Sequence, residues 1–184
     1  EATDSEIRLV GILGNTDRAS KVYSGYAARG CKKIGIVYEE RAVDPADVER
    51  EVFRANVSES VHGMLVYYPI FGGTRDRSLQ SSVNPDKDVE GLHPRWAQRL
   101  YHDERFVDPE QRKKAILPCT PLGIAKALIH LGAVKSGGDP RQSAAGTTVT
   151  IFNRSEVVGR PLAAMLAHDG AKVYSFDIDG PMLY

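Results

Sequence analysis

Only two cysteines occur in 184 residues, and Cys31 and Cys119 form neither a CxxC nor any metal-ligand spacing. That excludes a disulfide framework as the organiser of the fold and fits a reducing compartment. An excess of charge is missing too: Lys plus Arg equals Asp plus Glu at 24 each, so no global field draws the chain to nucleic acid or an anionic membrane. No apolar run approaches membrane-spanning length, and the opening EATDSEIRLV lacks the basic and apolar regions of a secretory signal. The five histidines show no HxxxH or HExxH spacing, so none is a metal-ligand candidate. Arg112-Lys113-Lys114 reads as a solvated face. What remains, 42% hydrophobic and 26% charged, is the make-up of a soluble cytoplasmic protein.

Apolar periodicity alternates strand and helix. IRLVGILG (7–14) predicts a buried strand. Asp17 caps a helix with Val22, Tyr26 and Gly30 on one stripe and Tyr23 with Ala27 on the next. KIGIVYE (33–39) predicts a second strand. Asp44-Pro45 opens a helix whose apolar face is Val48, Val52, Phe53 and Ala55, and VHGMLVYYPI (61–70) reads as a third strand covered on both faces. Residues 71–121 are polar and turn-rich with room for two short helices, and long connections of this kind tend to carry function. Thr120-Pro121 restarts a helix that Gly132 ends. The stretch 133–146 is a linker or surface loop before the strand TTVTIF. The class is α/β with mainly parallel sheets: a three-layer α/β/α domain over 1–133, then the first βαβ part of a Rossmann-type domain over 134–184.

Glycine is scarce where it matters most. Between the strand TVTIF and the helix beginning at Gly159, the turn NRSEVVGRP has one glycine, whereas a dinucleotide loop usually has several. Gly159 and Pro161 start the helix, so its free N–H groups favour a phosphate there, and Arg154 adds a positive charge. The second strand ends at Asp177, where an acidic side chain can accept from ribose hydroxyls. The same pattern also fits a plain βαβ crossover closed by an Arg154–Asp177 salt bridge, and spacing leaves both readings open.

NRSEVVGRP, with LPCTP (117–121), PDKDVEGL (85–92) and GMLVYYPI (63–70), resembles the methylenetetrahydrofolate dehydrogenase/cyclohydrolase family, in which these blocks occur in this order. The resemblance implies a folate cleft and a nicotinamide dinucleotide at the turn, held by Thr120, Asn153, Arg154, Ser155, Gly159 and Asp177. Asn153 stands where the family has its first glycine, a position asparagine tolerates better than other side chains. NADP-using members pair the arginine with a serine at the end of the second strand. FDID has none there, and Asp177 would repel a 2′-phosphate, so the implied cofactor is NAD. Arg154 is left to Asp177, the pyrophosphate or a phosphate ion.

On the folate side the resemblance makes Tyr23 the residue packed on the substrate's ring, and gives catalytic roles to Tyr23, Tyr67 and Glu90. Pro118 and Cys119 help form the cleft wall, with Cys119 a small packed residue rather than a nucleophile. Three positions depart from the family: its lysine is Ala27, its glutamine Tyr67, and the second aspartate of its KDVDG block Glu90. Lysine and glutamine lost together resemble the fungal monofunctional NAD-dependent members. The implied activity is oxidation of 5,10-methylenetetrahydrofolate to the methenyl form in one-carbon metabolism and purine biosynthesis, without cyclohydrolase activity, by a homodimer that uses no metal. A bifunctional enzyme and a truncated, inactive folate-binding remnant are the alternatives. Family members extend beyond both ends of this sequence, so the chain is expected to be truncated and inactive by itself.

Overall fold

The computed structural model describes residues 6–135, 138–178 and 180–183. The chain divides into two compact units, Glu1–His93 and Pro94–Tyr184.

In the first unit, β1 (Arg8–Leu13) is the middle of a parallel sheet, flanked by β2 (Val37–Ala42) and β3 (Gly63–Val66). Alternation along β1 sends Val10 and Ile12 to one face, each fully buried, and Leu9, Gly11 and Leu13 to the other. The first face packs on Val48, Val52 and Ala55 of α2 (Val48–Val57) and on Leu79 of α3 (Gly73–Ser82). The second meets α1 (Arg18–Lys33), where Ala27 packs with Leu13, Leu65 and Tyr67. Helices on both faces make the expected α/β/α layering.

Caps behave as their chemistry requires. Asp17 accepts from the Ala19 N–H at the start of α1, and Asp44 accepts from Ala46 N–H ahead of a short 3-10 turn that runs into α2. Four expectations are corrected. The buried side of α1 is Ser20, Ser24 and Cys31, while Val22 and Tyr26 are exposed, because the facing sheet surface already holds tyrosine side chains and leaves room only for small groups. Helix α1 runs on to Lys33, so β2 starts at Val37 rather than at 33. Phe53 is exposed on the outer side of α2. The third strand is shorter than 61–70, ending before the cis Tyr68–Pro69 peptide.

The second unit holds α4 (Pro94–Tyr101), α5 (Cys119–His130), β4 (Thr148–Phe152), α6 (Gly159–His168), β5 (Lys172–Asp177) and β6 (Gly180–Leu183). β4 and β5 are parallel, as a βαβ crossover demands, and Gly132 takes the left-handed conformation (φ 71°) just after α5. Ile151 and Val173 pack beneath Leu162, Ala163 and Leu166 of α6, with Ile124 and Leu128 of α5 against the same cluster. β6 pairs antiparallel with β5. Compactness divides the chain at 93/94, ahead of the functional boundary expected at 133/134, because α4 and α5 pack against α6.

One lysine ties the first unit together. Lys87 Nζ donates to the carbonyls of Ala55 (3.0 Å), Asn56 (2.8 Å) and Ser58 (2.7 Å), satisfying orphan acceptors at the end of α2. Lys87→Met is expected to lower the unfolding free energy by about 2 kcal/mol, because charge-assisted bonds are lost and carbonyls are left unpaired. Urea denaturation would show this as a lower midpoint with an unchanged slope.

Candidate active site

The residues expected to meet folate lie in the first unit. Tyr23, about half exposed on α1, sets its ring edge-to-face with that of Tyr67, centroids 5.7 Å apart at 82°. Ala27 lies one helical turn on and packs against the cluster of Leu13, Leu65 and Tyr67. Tyr67, just past β3, is buried, and its hydroxyl is 2.9 Å from that of Tyr38. Tyr38 Oη lies 2.7 Å from Ser24 Oγ, which donates to the Glu40 carboxylate. Burial, with the bond to Tyr38, holds the Tyr67 phenol well above its ordinary pKa. Tyr67 is therefore a neutral hydroxyl at physiological pH, in no position to act as a base.

Glu90 is positioned by its predecessors. Asp88 is buried, and its carboxylate accepts from the N–H groups of Glu90, Gly91 and His93 at 2.8–3.0 Å, folding the KDVEG loop into one turn. That turn delivers Glu90 Oε2 to the Val66 N–H at 3.1 Å. Burial pushes the Glu90 carboxyl up to about 8; the Val66 hydrogen bond opposes this and the Asp88 charge adds to it. Glu90 also lines a small cavity with Met64, Val66, Tyr68, Gln80 and His93. The Tyr68 hydroxyl is buried with no hydrogen-bond partner among the described residues.

The residues expected at the dinucleotide lie in the second unit. Asn153 Oδ1 accepts from Ser155 N–H at 2.9 Å, and Ser155 Oγ accepts from Val158 N–H at 3.2 Å, so two side chains build the turn that extra glycines would otherwise build. Gly159 is required by contact: a Cβ there would fall 1.9 Å from the Asn153 carbonyl oxygen. Arg154 folds under the end of β5, its Nε 3.8 Å from Asp177 Oδ2 and a terminal nitrogen donating to the Gly180 carbonyl at 3.3 Å. The Asp177 pair is Coulombic rather than hydrogen-bonded, and Arg154 Nε is buried without a hydrogen-bond partner among the described residues. Ser175 stands two residues before Asp177 but is fully buried, so it cannot replace the serine missing from the strand end. Pro118 is the buried N-cap of α5, and Cys119 and Thr120 are exposed in its first turn.

Sequence reasoning missed Tyr38, Ser24, Glu40, Lys87 and Asp88. A usable signal existed for Tyr38 and Glu40. Tyr38 and Glu40 alternate onto one face of β2, and Gly11 interrupts an apolar strand, which marks a close approach of something to the backbone. That something is Tyr38: a Cβ on Gly11 would lie 1.9 Å from its hydroxyl oxygen.

The raised Glu90 carboxyl generates a pH test. Folded Glu90 keeps its proton up to about pH 8, whereas the unfolded chain releases it near the ordinary value of 4.5. Its stabilising contribution is therefore full below 4.5 and is lost as pH rises through about 8. Glu90→Gln cannot ionise, so its melting temperature should gain on the parent's as pH rises from 4.5 to about 8 and run parallel to it above that. Parallel melting profiles would contradict a raised Glu90 carboxyl.

A profile of the family described as tetrahydrofolate dehydrogenase/cyclohydrolase, catalytic domain, matches residues 1–90. The chain is 48% identical over 171 residues to "Methylenetetrahydrofolate dehydrogenase [NAD(+)]" of Schizosaccharomyces pombe, covering 93% of this chain and 53% of that protein. It is 44% identical to the protein of the same name from Saccharomyces cerevisiae, covering 93% of this chain and 54% of that one. The solved structure of the NAD-dependent 5,10-methylenetetrahydrofolate dehydrogenase from Saccharomyces cerevisiae superposes with a TM-score of 0.89 at 42% identity, over 95% of this chain and 55% of that one. The chain spans about half the length of the curated relatives it matches. The catalytic-domain match over residues 1–90 and the likeness that continues past it make the chain similar to the tetrahydrofolate dehydrogenase/cyclohydrolase family.

Proposed function

We propose that the whole protein oxidises 5,10-methylenetetrahydrofolate to 5,10-methenyltetrahydrofolate with NAD and does not hydrolyse the product. Relatives at 44–48% identity carry the NAD-dependent dehydrogenase name. The observation that carries the reading is Ala27 packed beside a Tyr67 whose hydroxyl is already engaged by Tyr38.

Tyr23 offers an exposed ring face for the substrate's aromatic system. Glu90 accepts from the pterin's amino and ring N–H groups. Those donors stabilise its charged form, so binding draws the proton off a carboxyl that sits near 8 without them. Pro118 and Cys119 contribute to the cleft wall, and the functional boundary falls at 133/134.

The turn fits NAD on two structural grounds: the helix approaches the loop backbone as closely as only glycine permits, and a buried guanidinium nitrogen waits for an acceptor. Asn153, Ser155, Gly159 and Thr120 would hold the pyrophosphate side, and Asp177 the adenosine ribose. NAD, when bound, takes the hydride. Removing a hydride from the bridging carbon requires orientation of two rings and little proton transfer, because the folate nitrogen lone pair stabilises the developing cation. Hydrolysis of the methenyl product, by contrast, moves protons between oxygen and nitrogen. Ala27 cannot do that, and Tyr67 is held neutral. We place the protein in the cytoplasm as a homodimer serving one-carbon metabolism and purine biosynthesis; among the described residues no helix is long and apolar enough to cross a membrane.

The test uses the full-length protein. Its kcat/KM should favour NAD over NADP, and Asp177→Ser should cut that preference about tenfold, since the change removes a ribose contact and frees Arg154 for a 2′-phosphate. An NADP preference in the parent would sink the assignment of Asp177. Decay of the methenyl absorbance should be no faster with enzyme than without it. Enzyme-dependent hydrolysis at a rate near the dehydrogenase rate would refute the monofunctional reading.

A further inference from the structure

The hydroxyl chain beneath the folate half-site has a direction, fixed by counting protons. Each hydroxyl carries one proton, and a carboxylate carries none to give. Ser24 commits its proton to Glu40 Oε2. Its oxygen must then accept from Tyr38 across 2.7 Å, which commits the Tyr38 proton. The Tyr38 oxygen in turn accepts from Tyr67 across 2.9 Å. The proton of Tyr67 is thereby spent, and toward anything else its oxygen offers only lone pairs. The geometry is enforced at both ends. Ser24 is fully buried, and Gly11 leaves the space in which the Tyr38 hydroxyl crosses β1.

We propose that Glu40, Ser24 and Tyr38 form a positioning relay that makes Tyr67 a hydrogen-bond acceptor toward the folate half-site, so that the site favours the cationic methenyl product over the neutral folate. This rests on the functional reading above, in which the bridging carbon loses a hydride with both its electrons to NAD and leaves an amidinium cation. A fixed oxygen lone pair beside that bridge is attracted to the positive charge as it develops, and it makes no comparable contact with the neutral reactant. A hydroxyl free to turn its proton toward the bridge would do the opposite. The relay thus gives Ser24 and Glu40 a part in the reaction without contact with substrate.

The experiment uses the full-length protein labelled with 13Cζ-tyrosine, with the Tyr67 signal assigned by its loss in Tyr67→Phe. Glu40→Gln places an amide donor opposite Ser24 and permits the chain to reverse; Ser24→Ala breaks it; Ser24→Thr restores the hydroxyl. The Tyr67 Cζ resonance is expected to shift in the first two variants and return in the third. In parallel, the ratio of dissociation constants for tetrahydrofolate and 5,10-methenyltetrahydrofolate should fall about tenfold in Glu40→Gln and Ser24→Ala, while tetrahydrofolate binding stays nearly constant. Ser24→Thr should keep the parent ratio. An unmoved Tyr67 resonance overturns the relay, whatever the ligands do. Equal weakening of both ligands overturns its role in charge selection and leaves Ser24 a packing residue. If the parent binds neither folate while the resonance responds, the functional reading falls, and the role in charge selection with it, but the direction of the hydroxyl chain stands.

Discussion

Burial of β1 on both faces is the constraint from which the first unit follows. A strand in the middle of a parallel sheet has no solvent side, so each face must be completed by whatever the neighbouring elements supply. One face is completed with carbon, from Val10 and Ile12 through α2 and α3, and it carries the bulk of the apolar burial. The other face has a gap at Gly11, filled by the Tyr38 ring and hydroxyl. A buried hydroxyl needs a partner, so the polar chain from Tyr67 to Glu40 follows from the packing defect that glycine introduces. The proposed half-site is built on the face where the sheet is imperfect.

Patterns with a local physical cause were legible in the sequence. Asp17 and Asp44 cap because a short carboxylate reaches an N–H two residues on, and Gly132 turns left-handed after α5 for want of a Cβ. The parallel pairing of β4 with β5 follows from the crossover between them. Patterns decided by distant partners were not legible. Val22, Tyr26 and Phe53 lie at good helical spacing, yet they are exposed, because helical period says which residues share a face and not which face meets the sheet. Lys87 and Asp88 look like a charged pair in a polar loop. One caps a helix thirty residues back in the chain, and the other organises the turn that carries Glu90. The family resemblance singled out Glu90 and Tyr67; Asp88, which positions the first, lay in the block PDKDVEGL with no role given to it, and Tyr38, Ser24 and Glu40, which surround the second, lay in segments with no motif.

The second unit solves a related problem with different residues. A turn meant for close approach needs backbone freedom, usually provided by several glycines. Here Asn153 and Ser155 fold the loop through their own side-chain hydrogen bonds, and the one glycine is kept where the helix meets the loop backbone. Conformational freedom has been replaced by local bonds, which costs less entropy on folding than glycine would.

Charge placement separates the two halves of the chemistry. In the first unit the tyrosine of the half-site is held neutral and the carboxyl is pushed up to about 8, both chiefly by burial. Such an environment resists carrying a charge of its own and is most responsive to charge that a ligand brings, since in low dielectric a fixed dipole acts strongly on a developing ion. In the second unit Arg154 and Asp177 keep formal charges within 3.8 Å of one another without a hydrogen bond. A pair held at that distance is satisfied enough to be stable and loose enough to exchange a partner. On the proposed function, hydride removal would create positive charge where the first unit is neutral and directional, and dinucleotide selection would place anionic groups where the second unit has an arginine not fully engaged. On the same proposal the alanine at position 27 belongs to this division: an ammonium there would oppose the cation that the Tyr67 hydroxyl oxygen is proposed to favour.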